Sequence, residues 1–325
     1  MTMQAEILDY RHTTEWDLEK FFYDESFTQN IQEKFPLIFA SMSSRHIDSV
    51  EKSWKDFMTG RKWSRPNTLL DAFTSGFSRR VGEYLNLTGI SISNLNASCA
   101  SALYALHQGS LLSQAYNTPV VVVCADNLTH PFELWRFKSL GALDNETGRP
   151  FDSSSKGFRM GAGICMFLIK HPNVKFNMPS KATITNFAFY TNHEFTNPGT
   201  SDNIVNNITG IDYKHIDFYN AHATGTPVGD IIEYEYFNKT IKGDVPIVSY
   251  KGHVGHCVSA AGGMEIALAL DGKRDNILLA NNITGDKIIN DDRIITANTS
   301  FPYKHMLKAS FGFGGKNAIA KIDLY

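Results

Sequence analysis

The sequence predicts a layered α/β fold, and three features carry that prediction. Apolar stretches rich in β-branched residues alternate with stretches of helical period nearly throughout. The second half repeats the rhythm of the first, and 325 residues is about twice a usual domain, which suits one duplicated fold or two halves sharing a core. The run 120–125 (VVVVCA) is apolar at every position, as in a central strand buried on both faces.

The elements follow in order. Residues 1–33 are acidic and aromatic, with Trp16, Leu18, Phe21, Phe22, Phe27 and Ile31 at roughly helical spacing, and read as a docking helix. Residues 35–40 (FPLIFA) form a candidate strand. Pro66 opens a helix whose apolar positions Leu69, Leu70, Phe73, Phe77, Val81 and Leu85 recur every three or four residues. Gly89 ends that unit, 90–95 is a short strand, 100–114 a helix, and Pro119 precedes the strand 120–125. The segment 170–180 (KHPNVKFNMPS) is the best seam between halves. Beyond it, 182–190 alternates as a strand, 216–221 is a short strand, 231–237 suits a helix and 245–250 a strand. A helix at 260–270 and a strand at 277–280 follow. The closing 309–322 reads as two strand pieces around the glycines 312, 314 and 315.

Composition narrows the function. With 42% hydrophobic and 20% charged residues, the chain can bury a sizeable core. The formal charge is −2 with no block of like charge, so electrostatics offers no case for nucleic acid or an anionic membrane surface. The apolar runs are too short to span a bilayer, and the first residues lack a basic head or an apolar run, so no secretory signal is expected. Four cysteines without Cys-x-x-Cys spacing read as intracellular thiols. The expectation is a cytoplasmic α/β enzyme.

Chemistry concentrates in three places. Cys99 lies in Asn96-Ala97-Ser98-Cys99-Ala100-Ser101, between a strand and a helix, where free backbone N–H groups and the helix dipole favour a thiolate and can hold an oxyanion. An inert buried thiol is the competing reading, and it is the preferred one for Cys124, Cys165 and Cys257. Among eleven histidines, His222 (Asn220-Ala221-His222-Ala223-Thr224-Gly225-Thr226-Pro227) and His256 (Lys251-Gly252-His253-Val254-Gly255-His256) stand apart. Small residues around each permit close approach of backbone to a ligand, although structural histidines are common. His253 competes with His256; His130 and His193 follow loop-like segments and are weaker candidates for a pocket. The third place is Ser310-Phe311-Gly312-Phe313-Gly314-Gly315-Lys316. It lacks P-loop spacing and precedes a strand, so it suits a pocket gate better than a phosphate cradle. No cluster with metal-ligand spacing appears in the linear sequence.

Taken together and in this order, these elements resemble the condensing enzymes of the β-ketoacyl synthase family. The resemblance runs from about Phe35 to the C-terminus. It is carried by the Ala-Ser-Cys-Ala-Ser turn, Gly148-Arg149-Pro150-Phe151-Asp152, His222-Ala-Thr-Gly-Thr-Pro, Lys251-x4-His256, Ala260-Ala261-Gly262 and Ser310-Phe-Gly-Phe-Gly-Gly. It implies a thiolase-like αβαβα fold of two duplicated halves, here 1–170 with the nucleophile and 171–325 with both histidines. It implies Cys99 as the acyl-accepting nucleophile and His222 and His256 as the catalytic pair. Lys251 and Glu265 match supporting charged residues, Asp230 and Glu233 the acidic pair after Thr-Gly-Thr-Pro. Phe311 and Phe313 match the gating loop, the N–H of Phe313 joining that of Cys99 in an oxyanion hole. The activity implied is decarboxylative condensation of an acyl thioester with a malonyl thioester, in fatty acid or specialised polyketide or polyene synthesis. No cofactor is needed, and the substrates ride on the phosphopantetheine arm of an acyl carrier protein. The fold implies a dimer, with itself or with a related subunit.

Relatives of the fold differ in kind. Thiolases use a second cysteine near the C-terminus, whereas the last cysteine here is Cys257. Starter-type synthases carry Asn where His256 stands, so the Cys-His-His set resembles the elongating branch. Three departures remain. Nothing in 1–34 resembles the family's opening strand, so 1–33 reads as an atypical extension and the first half as shortened. The segment between Tyr190 and Ile216 is short, and the family's Gly-Glu-Gly-Ala appears as Gly161-Ala162-Gly163-Ile164. These departures keep a second expectation in view: a non-catalytic, chain-length-factor-like subunit supporting another synthase.

Overall fold

The computed structural model describes residues 3–42, 55–61, 74–88, 92–144, 146, 148–193 and 199–325. The first half contributes strands β1 (Ala5–Thr13), β2 (Leu37–Ala40), β3 (Ile92–Leu95), β4 (Val120–Asn127) and β5 (Ala162–Lys170). The second contributes β6 (Ala182–Thr191), β7 (Phe218–Asn220), β8 (Ile247–Val248), β9 (Ile277–Leu278), β10 (Thr299–Ser300), β11 (His305–Gly312) and β12 (Lys316–Leu324). The helices are α1 (Leu18–Phe22), α2 (Glu25–Thr28), α3 (Thr74–Tyr84), α4 (Ser101–Tyr116), α5 (Pro131–Lys138), α6 (Ser201–Asn207), α7 (Pro227–Thr240), α8 (Lys251–Val254) and α9 (Ala261–Asp275).

Ten strands form one sheet in the order β3-β2-β4-β5-β1-β6-β12-β11-β7-β8. The pairing is mirrored about its middle. In the first half β3, β2 and β4 run parallel, then β4–β5 and β5–β1 are antiparallel. In the second half β8, β7 and β11 run parallel, then β11–β12 and β12–β6 are antiparallel. The sheet folds around α4 and α9, which touch each other and strands of both halves. Strand β4 shows why an all-apolar run was required there. Val120, Val122 and Cys124 face the central core with Leu103, Leu106 and Ile266, while Val121, Val123 and Ala125 face an outer core with Phe39, Phe77 and Val81. A second outer core gathers Ile204, Tyr219, Tyr236, Phe237 and Leu307. Helices, sheet, paired helices, sheet and helices thus stack as the five layers of a thiolase-like α/β fold.

Three expectations are corrected. Residues 1–33 do not form a docking helix, and they do supply an opening strand: β1 lies in the middle of the sheet, between β5 and β6. The aromatic residues that follow lie in or beside the short helices α1 and α2, where Phe21, Phe22 and Phe27 pack into the chain's own outer core. The segment 277–280 stays out of the large sheet, since β9 pairs only with β10. The helix opening at Pro66 is described only from residue 74 onward, and its start lies outside the described residues. Strand β5, β10 and helices α5 and α6 had no counterpart in the sequence reading. Ala162 opens β5, partly exposed.

Candidate active site

The two halves bring equivalent turns together. Cys99 sits in a 3-10 turn (Ser98–Ala100) that leads into α4, and its counterpart Val258–Ala260 leads into α9. Ser98 (φ 50°) and Val258 (φ 41°) hold left-handed backbone, which non-glycine residues rarely adopt and which the surrounding structure must enforce. In the first turn Ser101 does so: its hydroxyl accepts from the Ala97 N–H at 2.9 Å and donates to the Ser98 carbonyl at 2.6 Å.

Cys99 is buried, and its Sγ lies 3.0 Å from Nε2 of His256. The His256 and His222 rings meet edge to face with centroids 5.6 Å apart, and Phe311 stands edge-on to His222 at 5.8 Å. All three floor a cavity of about 330 Å³ whose wall includes Phe158 and Phe313 and whose rim includes Leu140, Lys156 and the exposed Val228. His253 is excluded from it, its Nε2 lying 2.8 Å from the Ala280 carbonyl. His130 and His193 do not line it either.

Each member is held from behind. Glu233, on α7, accepts from the backbone N–H groups of His222 (2.6 Å) and Ala223 (2.7 Å) and from the Tyr219 hydroxyl (2.6 Å). Asp230, one turn earlier, accepts from the N–H groups of Thr224, Gly225 and Phe151, joining the Arg-Pro-Phe-Asp turn to the histidine loop. Burial raises both carboxyls, Asp230 to about 7. Lys251 is buried 2.5 Å from the Oε1 of Glu265 on α9. Gly312 is a glycine for a steric reason: a Cβ there would stand 2.6 Å from the Lys316 carbonyl and 2.8 Å from that of Ala97. That close approach brings the glycine turn onto Cys99, so that the N–H groups of both Phe313 and Cys99 act on the sulfur.

The electrostatics correct one expectation. Burial pushes the Cys99 thiol up to about 12, against the pull of Lys251 and the backbone donors; the helix terminus does not produce a resting thiolate. Burial first, then the nearby Lys251, pushes both His222 and His256 well below the ordinary histidine range. The resting site is a thiol beside two neutral imidazoles. Its sulfur and ring nitrogens lie within 4.8 Å of one another, a set able to ligate a metal ion that linear spacing did not disclose.

The family model for the N-terminal domain of beta-ketoacyl synthase matches residues 27–173, and the model for its C-terminal domain matches 202–278, together more than half of the chain. The chain belongs to the β-ketoacyl synthase family. It is similar to the prosolanapyrone synthase of Alternaria solani, with 29% identity over 80% of this chain and 11% of that protein. It is also similar to 3-oxoacyl-[acyl-carrier-protein] synthase 2 of Mycobacterium leprae (strain TN), with 30% identity over 56% of this chain and 47% of that one. The chain therefore spans a small part of the first relative's length and about half of the second's. Among solved structures it resembles a beta-ketoacyl synthase from Burkholderia phymatum STM815 (TM-score 0.78, 20% identity, 93% of this chain and 78% of that one). It resembles the ishigamide ketosynthase/chain length factor (0.77, 18%, 91% and 77%). A further likeness is to AntDE:AntF, a type II acyl-carrier protein in complex with its ketosynthase (0.75, 19%, 91% and 80%). At such identities the likeness is one of fold, and it identifies the ketosynthase fold as thiolase-like.

Two buried charges beside the site escaped the sequence reading. Asp126, at the end of β4, accepts from the Ser41 hydroxyl (2.8 Å) and from the N–H groups of Met42 and Ser259, tying the two halves beside Cys99. Lys308, on β11, lies 2.6 Å from the second oxygen of Glu265. A lone charged residue inside an apolar strand run was the available signal for both. Among the described residues no helix is long and apolar enough to cross a membrane.

Proposed function

We propose that this ketosynthase is an active condensing enzyme: an acyl group rides on Cys99, and a malonyl thioester is decarboxylated and condensed with it. The observation that carries the reading is the 3.0 Å contact between the Cys99 Sγ and Nε2 of His256, with His222 and two backbone donors converging on the same cavity.

The thiol attacks the incoming thioester as its proton passes to His256; the donor's thiolate leaves and takes a proton, and Cys99 is acylated. A thiol held this high reacts only when the proton moves in the same step, which the hydrogen-bonded imidazole permits. The malonyl thioester next loses carbon dioxide, and its C–C electron pair becomes an enolate whose oxygen accepts from the N–H of His222 and from that of His256, now in its Nε2–H tautomer. Neutral imidazoles serve this purpose, and burial beside lysines keeps them neutral. The enolate carbon attacks the acyl carbonyl, the tetrahedral oxyanion is held by the N–H groups of Cys99 and Phe313, and the sulfur departs with the new C–C bond formed.

We read the Cys99-His222-His256 set as catalytic and cofactor-free, since Lys251 acts electrostatically on all three and opposes a dication. The carrier is an acyl carrier protein, the chain divides at 170/171 into two homologous halves, and it works in the cytoplasm as a dimer with itself or a related subunit. The intact nucleophile favours this over a chain-length-factor-like role. Intact-protein mass spectrometry with a panel of acyl-carrier thioesters tests it. An adduct is expected on wild type and none on Cys99→Ala; His222→Ala blocks decarboxylation and leaves Cys99 acylation largely intact, while His256→Ala, which removes the acceptor of the thiol proton, loses both. No adduct with any donor would shift the role to partner subunit.

A further inference from the structure

A buried cation beside the site takes no direct part in the bond changes proposed above. Lys308 is fully buried on β11, and its Nζ faces oxygens from three elements of the site. Oε2 of Glu265 on α9 lies at 2.6 Å, the Ala309 carbonyl on β11 at 2.5 Å, and the Asn220 carbonyl, which ends β7, at 3.5 Å. Each element leads directly into the site. Asn220 precedes His222 by two residues, Ala309 precedes the gate residue Phe311 by two, and Glu265 holds Lys251 through its other oxygen. Buried carbonyl and carboxylate oxygens that point at one centre repel one another unless a cation occupies it.

We propose that Lys308 is a positioning residue whose ammonium group acts as a built-in monovalent cation, clamping β7, β11 and α9 so that His222, His256 and the Phe311 turn keep their spacing. The inference rests on the condensing reading for its functional consequence, but the clamp itself is a property of the fold. The charged groups facing Lys308 are Glu265, Lys251 and Glu233, and its charge is felt at both catalytic histidines. Burial pulls Lys308 down to about 8, while Glu265 supports the charged form. An apolar side chain of similar shape fits such a triad sterically, so loss of the charge is separable from loss of packing.

The test compares Lys308→Ala with Lys308→Met. Alanine leaves an oxygen-lined space, and methionine fills it without charge. Both variants and wild type are assayed in ammonium chloride and in choline chloride at matched ionic strength, for melting temperature, Cys99 acylation and malonyl-thioester decarboxylation. In choline, decarboxylation by Lys308→Ala should fall about tenfold or more, as when an outer partner of a reactive group is lost. Ammonium should restore it saturably and raise the variant's melting temperature, while wild type and Lys308→Met ignore the choice of salt. An unchanged melting temperature of Lys308→Ala in the two salts, or wild-type decarboxylation by Lys308→Met, overturns the proposal. If Lys308→Ala folds in neither salt while Lys308→Met is active, it is overturned as well; folding in ammonium alone supports it. A wild type that neither acylates nor decarboxylates defeats the condensing reading, and the ammonium-dependent melt still decides the clamp.

Discussion

Replacing Glu233 by glutamine should loosen the loop that carries His222 while leaving Cys99 in place. The carboxylate takes hydrogen bonds from the Tyr219 hydroxyl and the His222 N–H on one oxygen and from the Ala223 N–H on the other. An amide of the same shape can keep its oxygen toward the first two donors only by aiming its NH2 at the Ala223 N–H. One buried backbone donor is then orphaned, which costs about 1–3 kcal/mol. Burial already raises the Glu233 carboxyl, so neutralising it returns part of that cost. A net loss of about 2 kcal/mol is expected, which lowers the melting temperature by roughly 3 °C in a chain of this size. The displaced imidazole should slow malonyl decarboxylation by about tenfold to a hundredfold, since small misplacements at a reacting centre are costly. Acylation of Cys99, whose proton the proposed mechanism passes to His256, should persist. Calorimetry and a carbon dioxide release assay read the two effects. Normal melting with normal decarboxylation, or equal loss of acylation and decarboxylation, would refute the assignment of Glu233 as the support of His222.

Further outcomes follow from the same geometry. His222 and His256 are held well below the ordinary range by burial and then Lys251, so neither imidazole should protonate as pH falls from about 8 to 6, past an ordinary histidine pKa near 6.5. A titration of either ring with a midpoint at about 6.5 in its NMR signals would contradict it. Asp152 is held at about 2 although burial opposes this, because Ser154, Thr284 and Gly285 donate to it. A depressed carboxyl contributes stability that is present above its unfolded pKa and is lost as pH falls towards about 2. Asp152→Asn should therefore cost about 2 kcal/mol at pH 7 and flatten the acid limb of stability between about pH 4 and 2, measured by urea unfolding. Gly312→Ala drives a methyl into the Lys316 and Ala97 carbonyls and should both lower the melting temperature and slow acylation of Cys99. A folded variant with a normal acylation rate would show that the turn approaches the nucleophile less closely.

Much of this protein was legible in one dimension. Strand β4, helix α4, helix α9 and the closing hairpin are long and largely buried apolar runs, so local pattern and tertiary packing agree on them. Cys99, His222 and His256 stood out because each sits among small residues, and it was the family resemblance that joined them; the fold brings the three together. What the sequence could not decide depends on neighbours remote along the chain. Strand β1 takes its central place because β5 and β6, from different halves, need a partner between them. His253 and His256 differ by less than one helical turn in sequence, and only the path of α8 turns one to the Ala280 carbonyl and the other to the sulfur. Cys99 rests as a thiol because burial outweighs the helix terminus, and burial is a sum over the whole fold. Lys308 and Asp126 look like ordinary polar residues in strands until the two halves close over them, and closure converts each into a charge that must be matched.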